Sequence, residues 1–197
     1  MEKILLNVTK MLTERKFLKE ENLESNYQSL TKQINEEKVF KIKSDYDNSK
    51  FFHILFVYGK LTTIKKIQGL ETFLQKSKGQ NRIFIADNIN QKAYKQFKEL
   101  NNTEVFFEYE LQLNLIDHDL VPKHIKLSEE EKEQFMEEYQ VSKKQMSKMK
   151  SIDPVSRYYN SKAGDIFRII RPSTSAGVGI HYRMVVDANV SEIFEKK

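Results

Sequence analysis

Cysteine is absent from the chain of 197 residues, which excludes disulfides and thiolate metal sites outright. Long apolar runs are missing too. The longest, Phe51 to Tyr58 (FFHILFVY), is far too short for a bilayer core of roughly 30 Å. The opening MEKILLNVTKMLTERK mixes acidic and basic residues into its first apolar turn and makes a poor secretory signal. A soluble intracellular protein is expected, with no membrane partner. Proline is scarce, and all three residues (Pro122, Pro154 and Pro172) fall between His118 and Val186. Concentrated single-sign charge is also lacking. The net charge is +5 and the pI about 9.1, but acids are interspersed with the bases. A dedicated nucleic-acid binder usually carries a basic stripe, so weak phosphate contact is permitted here but not required.

Thirteen Phe and nine Tyr supply large buried area per residue, enough for cores in one domain or two small ones. In the first half, apolar spacing predicts helices over 3–18 and over Leu23 to Ile34. A strand is expected at 39–42 and a turn at 44–49. Phe51–Tyr58 is apolar on both alternating sets, as a doubly covered central strand should be, and Gly59 should end it. A helix at 61–77 with a stop around Gly79, a strand at 82–86 and a helix at 90–100 follow. Strands are expected at 104–109 and at 111–116. Alternating strands and helices predict an α/β domain over 1–116 with a partly parallel sheet.

The pattern changes near Asp117. Pro122 should hold 118–124 extended. Ser128 with Glu131 matches a capping box, so a helix should run from Ser128 to Tyr139. Residues 141–149 read as a basic helical turn or loop, and Asp153-Pro154 as a helix start. Ile166–Ile170 should be a strand broken by Pro172, Gly177 and Gly179 a loop, and Ile180–Val186 the partner strand. A second, smaller α+β unit over 117–197 results.

Reaction chemistry is hard to place. His118 and His124 flank Pro122 but lack a third metal ligand at suitable spacing. The glutamates between 129 and 138 share one solvated helix. Ser173, Thr174 and Ser175 have His181 nearby in sequence but no nucleophile-elbow signature, and they read as turn formers. Gly177 and Gly179 do not make a phosphate loop. A metal-dependent nuclease in the first half would need a Glu-x-Lys element. Glu108 and Glu110 have no Lys two residues on, and Glu36-Glu37-Lys38 lacks a convincing partner. Neither a metal nor another cofactor is expected. By contrast, Arg157, Arg168, Arg171 and Arg183 stand out in a Lys-rich chain and accompany Tyr158, Tyr159 and Tyr182. These residue types are enriched where proteins hold one another, and equally they suit an internal salt-bridge framework, for example Arg157 with Asp153.

HDLVPKH, the EEEKEQFMEEY helix, DPVSRYY and IIRPSTSAG followed by HYRMVV, in that order across 117–186, resemble the C-terminal assembly domain of the fifth shared subunit of eukaryotic nuclear RNA polymerases. The archaeal counterpart in that family corresponds to this domain alone. The first half is similar in length and alternation to the eukaryotic N-terminal jaw domain, a nuclease-like three-layer sheet with helices. Two departures are Met146-Ser147-Lys148-Met149 in place of a Leu-Pro-Arg-like element before the DPV motif, and Lys162-Ala163-Gly164 where the family has a basic pair before the glycine.

The resemblance implies a non-catalytic subunit of a multisubunit DNA-dependent RNA polymerase. Its second domain would dock on the largest subunit among the other polymerase subunits. Its first would form part of the lower jaw near downstream duplex DNA, with weak, sequence-independent contacts through residues that the resemblance does not identify. The implied partner-binding residues are His118, Val121, Pro122, His124, Asp153, Pro154, Arg157, Tyr158, Tyr159, Arg171, Pro172, Ser173, Tyr182 and Arg183. A cellular copy would act in the nucleus. The Lys- and Asn-rich divergence also fits a virus-encoded copy in host cytoplasm or virion. The rival readings are a nuclease-like DNA-binding protein and a free transcription regulator.

Overall fold

A computed structural model describes residues 1–34, 38–64, 67, 69–142, 144–173 and 177–195. The chain divides into two compact units, Met1–Asn114 and Leu115–Lys197. Among the described residues no helix is long and apolar enough to cross a membrane.

The first unit opens with α1 (Glu2–Glu14), which buries Ile4, Leu5, Val8, Met11 and Leu12 on one stripe. It stops short of the expected residue 18 because the chain turns at Lys16, which has a left-handed φ of 57°. Helix α2 (Leu23–Lys32) follows. Strands β1 (Val39–Lys43), β2 (Phe51–Leu61), β3 (Asn81–Ile89) and β4 (Thr103–Phe107) form one sheet in sequence order. β1 is antiparallel to β2, whereas β2, β3 and β4 are parallel, so the sheet is partly parallel as expected.

Two helices, α3 (Leu70–Lys76) and α4 (Gln91–Lys98), cover one face. There Phe73 meets Phe84 at 5.5 Å and Phe84 meets Phe97 at 4.5 Å. On the other face Phe17, just past α1, meets Phe52 at 4.7 Å, and Arg15 pairs with Glu104. The result is a three-layer arrangement, which explains why β2 is apolar on both alternating sets.

Three expectations in this unit are corrected. Gly59 does not end β2. At φ 84° it lies where the register with β3 shifts between Val57 and Lys60, and the strand continues to Leu61. Of the helix expected over 61–77, α3 covers Leu70–Lys76, behind Gly69 with φ 74°, while Leu61 ends β2 and residues 65, 66 and 68 lie outside the described residues. Residues 111–116 are not a strand. The Glu110 carboxylate accepts the Phe107 N–H at 2.8 Å and winds 108–111 into a 3₁₀ turn, and 115–117 make another.

In the second unit, β5 (Lys123–Lys126), β7 (Ile166–Ser173), β8 (Gly177–Val186) and β6 (Ser147–Lys150) form a sheet in that spatial order. Helix α5 (Glu129–Tyr139) has the expected capping box. The Ser128 hydroxyl accepts from Glu131 N–H, and the Glu131 carboxylate accepts from Ser128 N–H. α5 covers one face through Phe135, packed in a cluster with Leu127, Met146, Ile166 and Met184. The other face is covered by α6 (Pro154–Tyr158) and the 115–121 segment, around Met149, Val155, Phe167, Ile169 and Val185. A short α7 (Ser191–Glu195) ends the described chain.

Here too the structure departs from expectation. Residues 118–121 are not extended: Val121 N–H donates to the His118 carbonyl at 2.8 Å, closing a turn ahead of β5. Ser147–Lys150 is a strand, paired in parallel with β8. Pro172 does not break β7, which runs on to Ser173. The ladder to β5 ends at Ile170, so Pro172 sits where β7 has become an edge, and prolines are tolerated at edges. Gly177 and Gly179 belong to β8 rather than to a loop.

A candidate docking surface on the second sheet

The β7–β8 hairpin sets the site. Its register pairs Ile169 with His181, Phe167 with Arg183 and Arg171 with Gly179. Across β5, His124 pairs with Ile169, and across β6, Ser147 pairs with Arg183. Because side chains alternate along a strand, these residues share one face. His124, Ile169 and His181 form a row across three strands, with Arg171 and Arg183 on either side.

Local chemistry fixes the rim. His118 Nδ1 accepts the Leu120 N–H at 3.2 Å, shaping the turn before Pro122. His124 Nδ1 lies 2.6 Å from the Pro122 carbonyl. A carbonyl can only accept, so Nδ1 is the donor in this contact. The Asp153 carboxylate accepts the Val155 N–H at 2.9 Å and starts α6 with Pro154 in the first turn. Tyr159 packs on Phe167 at 5.6 Å, and its hydroxyl donates to the His124 carbonyl, tying α6 to β5. At the far end, Gly164 (φ 93°) donates to Val185, and the Asp165 carbonyl accepts from Val185, while Lys126 pairs with the Asp165 carboxylate at 2.7 Å. Gly164 thus meets a backbone requirement, since its φ lies where glycine is favoured.

Between these elements lies a concavity of about 330 Å³. Val121, Met149, Val155 and Ile169 give it an apolar floor. His124, His181, Arg171 and Arg183 ring it, against a single carboxylate, Asp153, already engaged as a helix cap. Arg171 and Arg183 are exposed and are not ion-paired among the described residues. Such a surface suits a polypeptide offering an apolar side chain beside a carboxylate.

Of the residues that the resemblance points to, Val121, Pro122, His124, Asp153, Arg171 and Arg183 converge here. His118 and Pro154 are exposed nearby in sequence, and Arg157, Tyr159 and Ser173 are half-buried. Pro172 is exposed on the opposite face of β7 from Arg171. Tyr158 is only 5% exposed and serves the unit's interior. Tyr182 borders the concavity through its strand, but its ring packs on Phe135 on the α5 face. Sequence reasoning missed Leu120, Ser147, Met149, Val155, Ile169 and His181 as lining residues. The hairpin register, with its period of two, places Ile169 and His181, and the pairing of β6 with β8 places Ser147 and Met149. Ser173 faces Gly177 across the hairpin, and Thr174 and Ser175 lie outside the described residues.

Of the carboxylates weighed for a nuclease, Glu110 accepts the Phe107 N–H and Glu108 stands in the same 3₁₀ turn. Glu104, on β4, takes both guanidinium nitrogens of Arg15, at 2.9 and 2.8 Å. Glu36 and Glu37 lie outside the described residues. Among the described residues no three His, Asp or Glu side chains gather as metal ligands.

A small α+β unit with a cationic, apolar-floored concavity and capped helices is the kind of module that assembles with other polypeptides. Residues 113–185 match the family model described as "RNA polymerase Rpb5, C-terminal domain". Over 83 residues the chain is 41% identical to "DNA-directed RNA polymerases I, II, and III subunit RPABC1" of Caenorhabditis elegans, covering 42% of this chain and 39% of that protein. The Dictyostelium discoideum protein of the same description is 43% identical over 83 residues, 42% of each chain. "DNA-directed RNA polymerase subunit 5" of Acanthamoeba polyphaga mimivirus is 32% identical over 148 residues, 75% of this chain and 71% of that one. The match thus spans about two fifths of the cellular relatives and most of the viral one. This chain belongs to the RNA polymerase subunit 5 family.

Proposed function

We propose that the chain is a non-catalytic subunit of a multisubunit DNA-dependent RNA polymerase and that its second unit docks on the largest subunit. One observation carries the docking reading. Six of the residues that the resemblance points to come from four separate segments and meet at one concavity, with two exposed arginines awaiting carboxylates. The 148-residue likeness to the viral subunit 5 supports extending the assignment over much of the first unit. In this reading 1–116 is the jaw domain, placed near downstream DNA with sequence-independent phosphate contacts, and 117–197 the assembly domain. The chain works by position and contributes no reacting group.

A cellular copy would act in the nucleus and a viral one in the host cytoplasm or virion, and both cellular and viral relatives exist. Affinity purification of the tagged chain from its native source tests the assignment. The largest and second-largest polymerase subunits should co-purify in stoichiometric amounts. Recovery of the chain free of them would overturn it.

A further inference from the structure

The second sheet manages its edges unevenly. Exposed strand edges are templates for pairing with another chain, and proteins blunt them with lysine, proline or short length. β5 spans only Lys123–Lys126 with lysine at both ends, and β6 spans Ser147–Lys150 with Lys148 and Lys150 exposed. The stretch of β7 projecting beyond β5 contains Pro172. The stretch of β8 projecting beyond β6, residues 177–182, has no such guard: β6 pairs only with Arg183–Val186. It exposes instead two large apolar side chains, Val178 at 59% and Ile180 at 56%.

Backbone direction follows from two hydrogen bonds. Val185 N–H donates to the Asp165 carbonyl on the β7 side, and the Val186 carbonyl accepts from Ser151 on the β6 side. The β7–β8 register is unbroken from Gly177 to Met184, so alternation turns odd-numbered residues of β8 toward β7 and even-numbered ones outward. The N–H and C=O groups of Val178 and Ile180 therefore face a flank that no strand covers among the described residues. Side-chain alternation adds a second signature. Val178 and Ile180 lie on one face of this edge, while His181, with Arg171 and Arg183, lies on the other.

We propose that this edge receives an extended segment of a partner polypeptide, added as a further strand beside residues 177–182, end to end with β6. The segment alternates. Its apolar side chains lie against Val178 and Ile180, and its acidic side chains point toward His181, Arg171 and Arg183. The inference rests on the docking reading above and specifies the form of the docked segment.

Residue-resolved hydrogen exchange tests it, comparing the isolated full chain with the chain inside affinity-purified polymerase. In the isolated chain the Val178 and Ile180 amides exchange quickly, while the β7-facing Gly179 and His181 amides are protected. In the assembly Val178 and Ile180 slow by about tenfold or more. The double variant V178K/I180K should reduce co-purification by a similar factor while keeping its circular dichroism spectrum. If the chain co-purifies with polymerase but both amides exchange as in isolation, strand addition is wrong while the subunit assignment survives. Protection that grows with concentration of the isolated chain assigns the edge to a second copy and also overturns the proposal. A chain that does not co-purify overturns both.

Discussion

The rings of Tyr182 and Phe135 lie 4.2 Å apart, inclined by 33°, and Tyr139 stands 5.9 Å from Tyr182 on the same side. Tyr182 therefore binds α5 to its own sheet, while its neighbours His181 and Arg183 face the opposite way. Tyr158, buried on the α6 side, has a similar interior task. Tyr182→Ala and Tyr158→Ala should each cost about 3 kcal/mol in the full chain. Thermal denaturation should show the loss, and Tyr182→Phe should keep most of the stability.

Exposed arginines behave differently. Arg171→Glu with Arg183→Glu removes no internal ion pair among the described residues and should change stability by no more than about 0.5 kcal/mol per site. Urea denaturation should show an unchanged midpoint.

Arg15 and Glu104 join the end of α1 to β4 in a two-bond pair, with side chains only 8% and 14% exposed. Removing one partner strands a largely desolvated charge. Glu104→Ala should cost about 3 kcal/mol, measured by denaturant unfolding, whereas losing both charges in Arg15→Met/Glu104→Leu should recover much of it.

His53 is buried in β2 against Phe73, 6.2 Å away. Burial first, then the charges of Lys41 and Arg82, hold its pKa below the ordinary 6.5. As pH falls below 6.5 the unfolded chain takes up this proton before the folded chain does, so stability drops until the lowered folded pKa is passed. His53→Gln should remove this part of the pH slope. Unfolding free energies measured across that window, on wild type and variant, check it.

Much of this architecture was legible where a local rule decides the outcome. The Ser128–Glu131 capping box, the Asp153-Pro154 helix start and the doubly apolar β2 each need only neighbouring residues. The failures share a cause. Pro172 and Gly59 read as breakers, but an edge position and a bulge accommodate them. Ser147–Lys150 carries one buried residue, Met149, and becomes a strand only because β8 offers a pairing edge. The arginines and tyrosines were visible as types. Which side of the sheet each occupies depends on hairpin register, and that separates Tyr182 from Arg183.

Quantitative co-purification of R171E/R183E with the largest polymerase subunit measures the docking surface most directly. The account predicts recovery reduced by about tenfold or more at unchanged stability, as expected for losing charge-assisted contacts at a packed interface. Recovery at the wild-type level would contradict it.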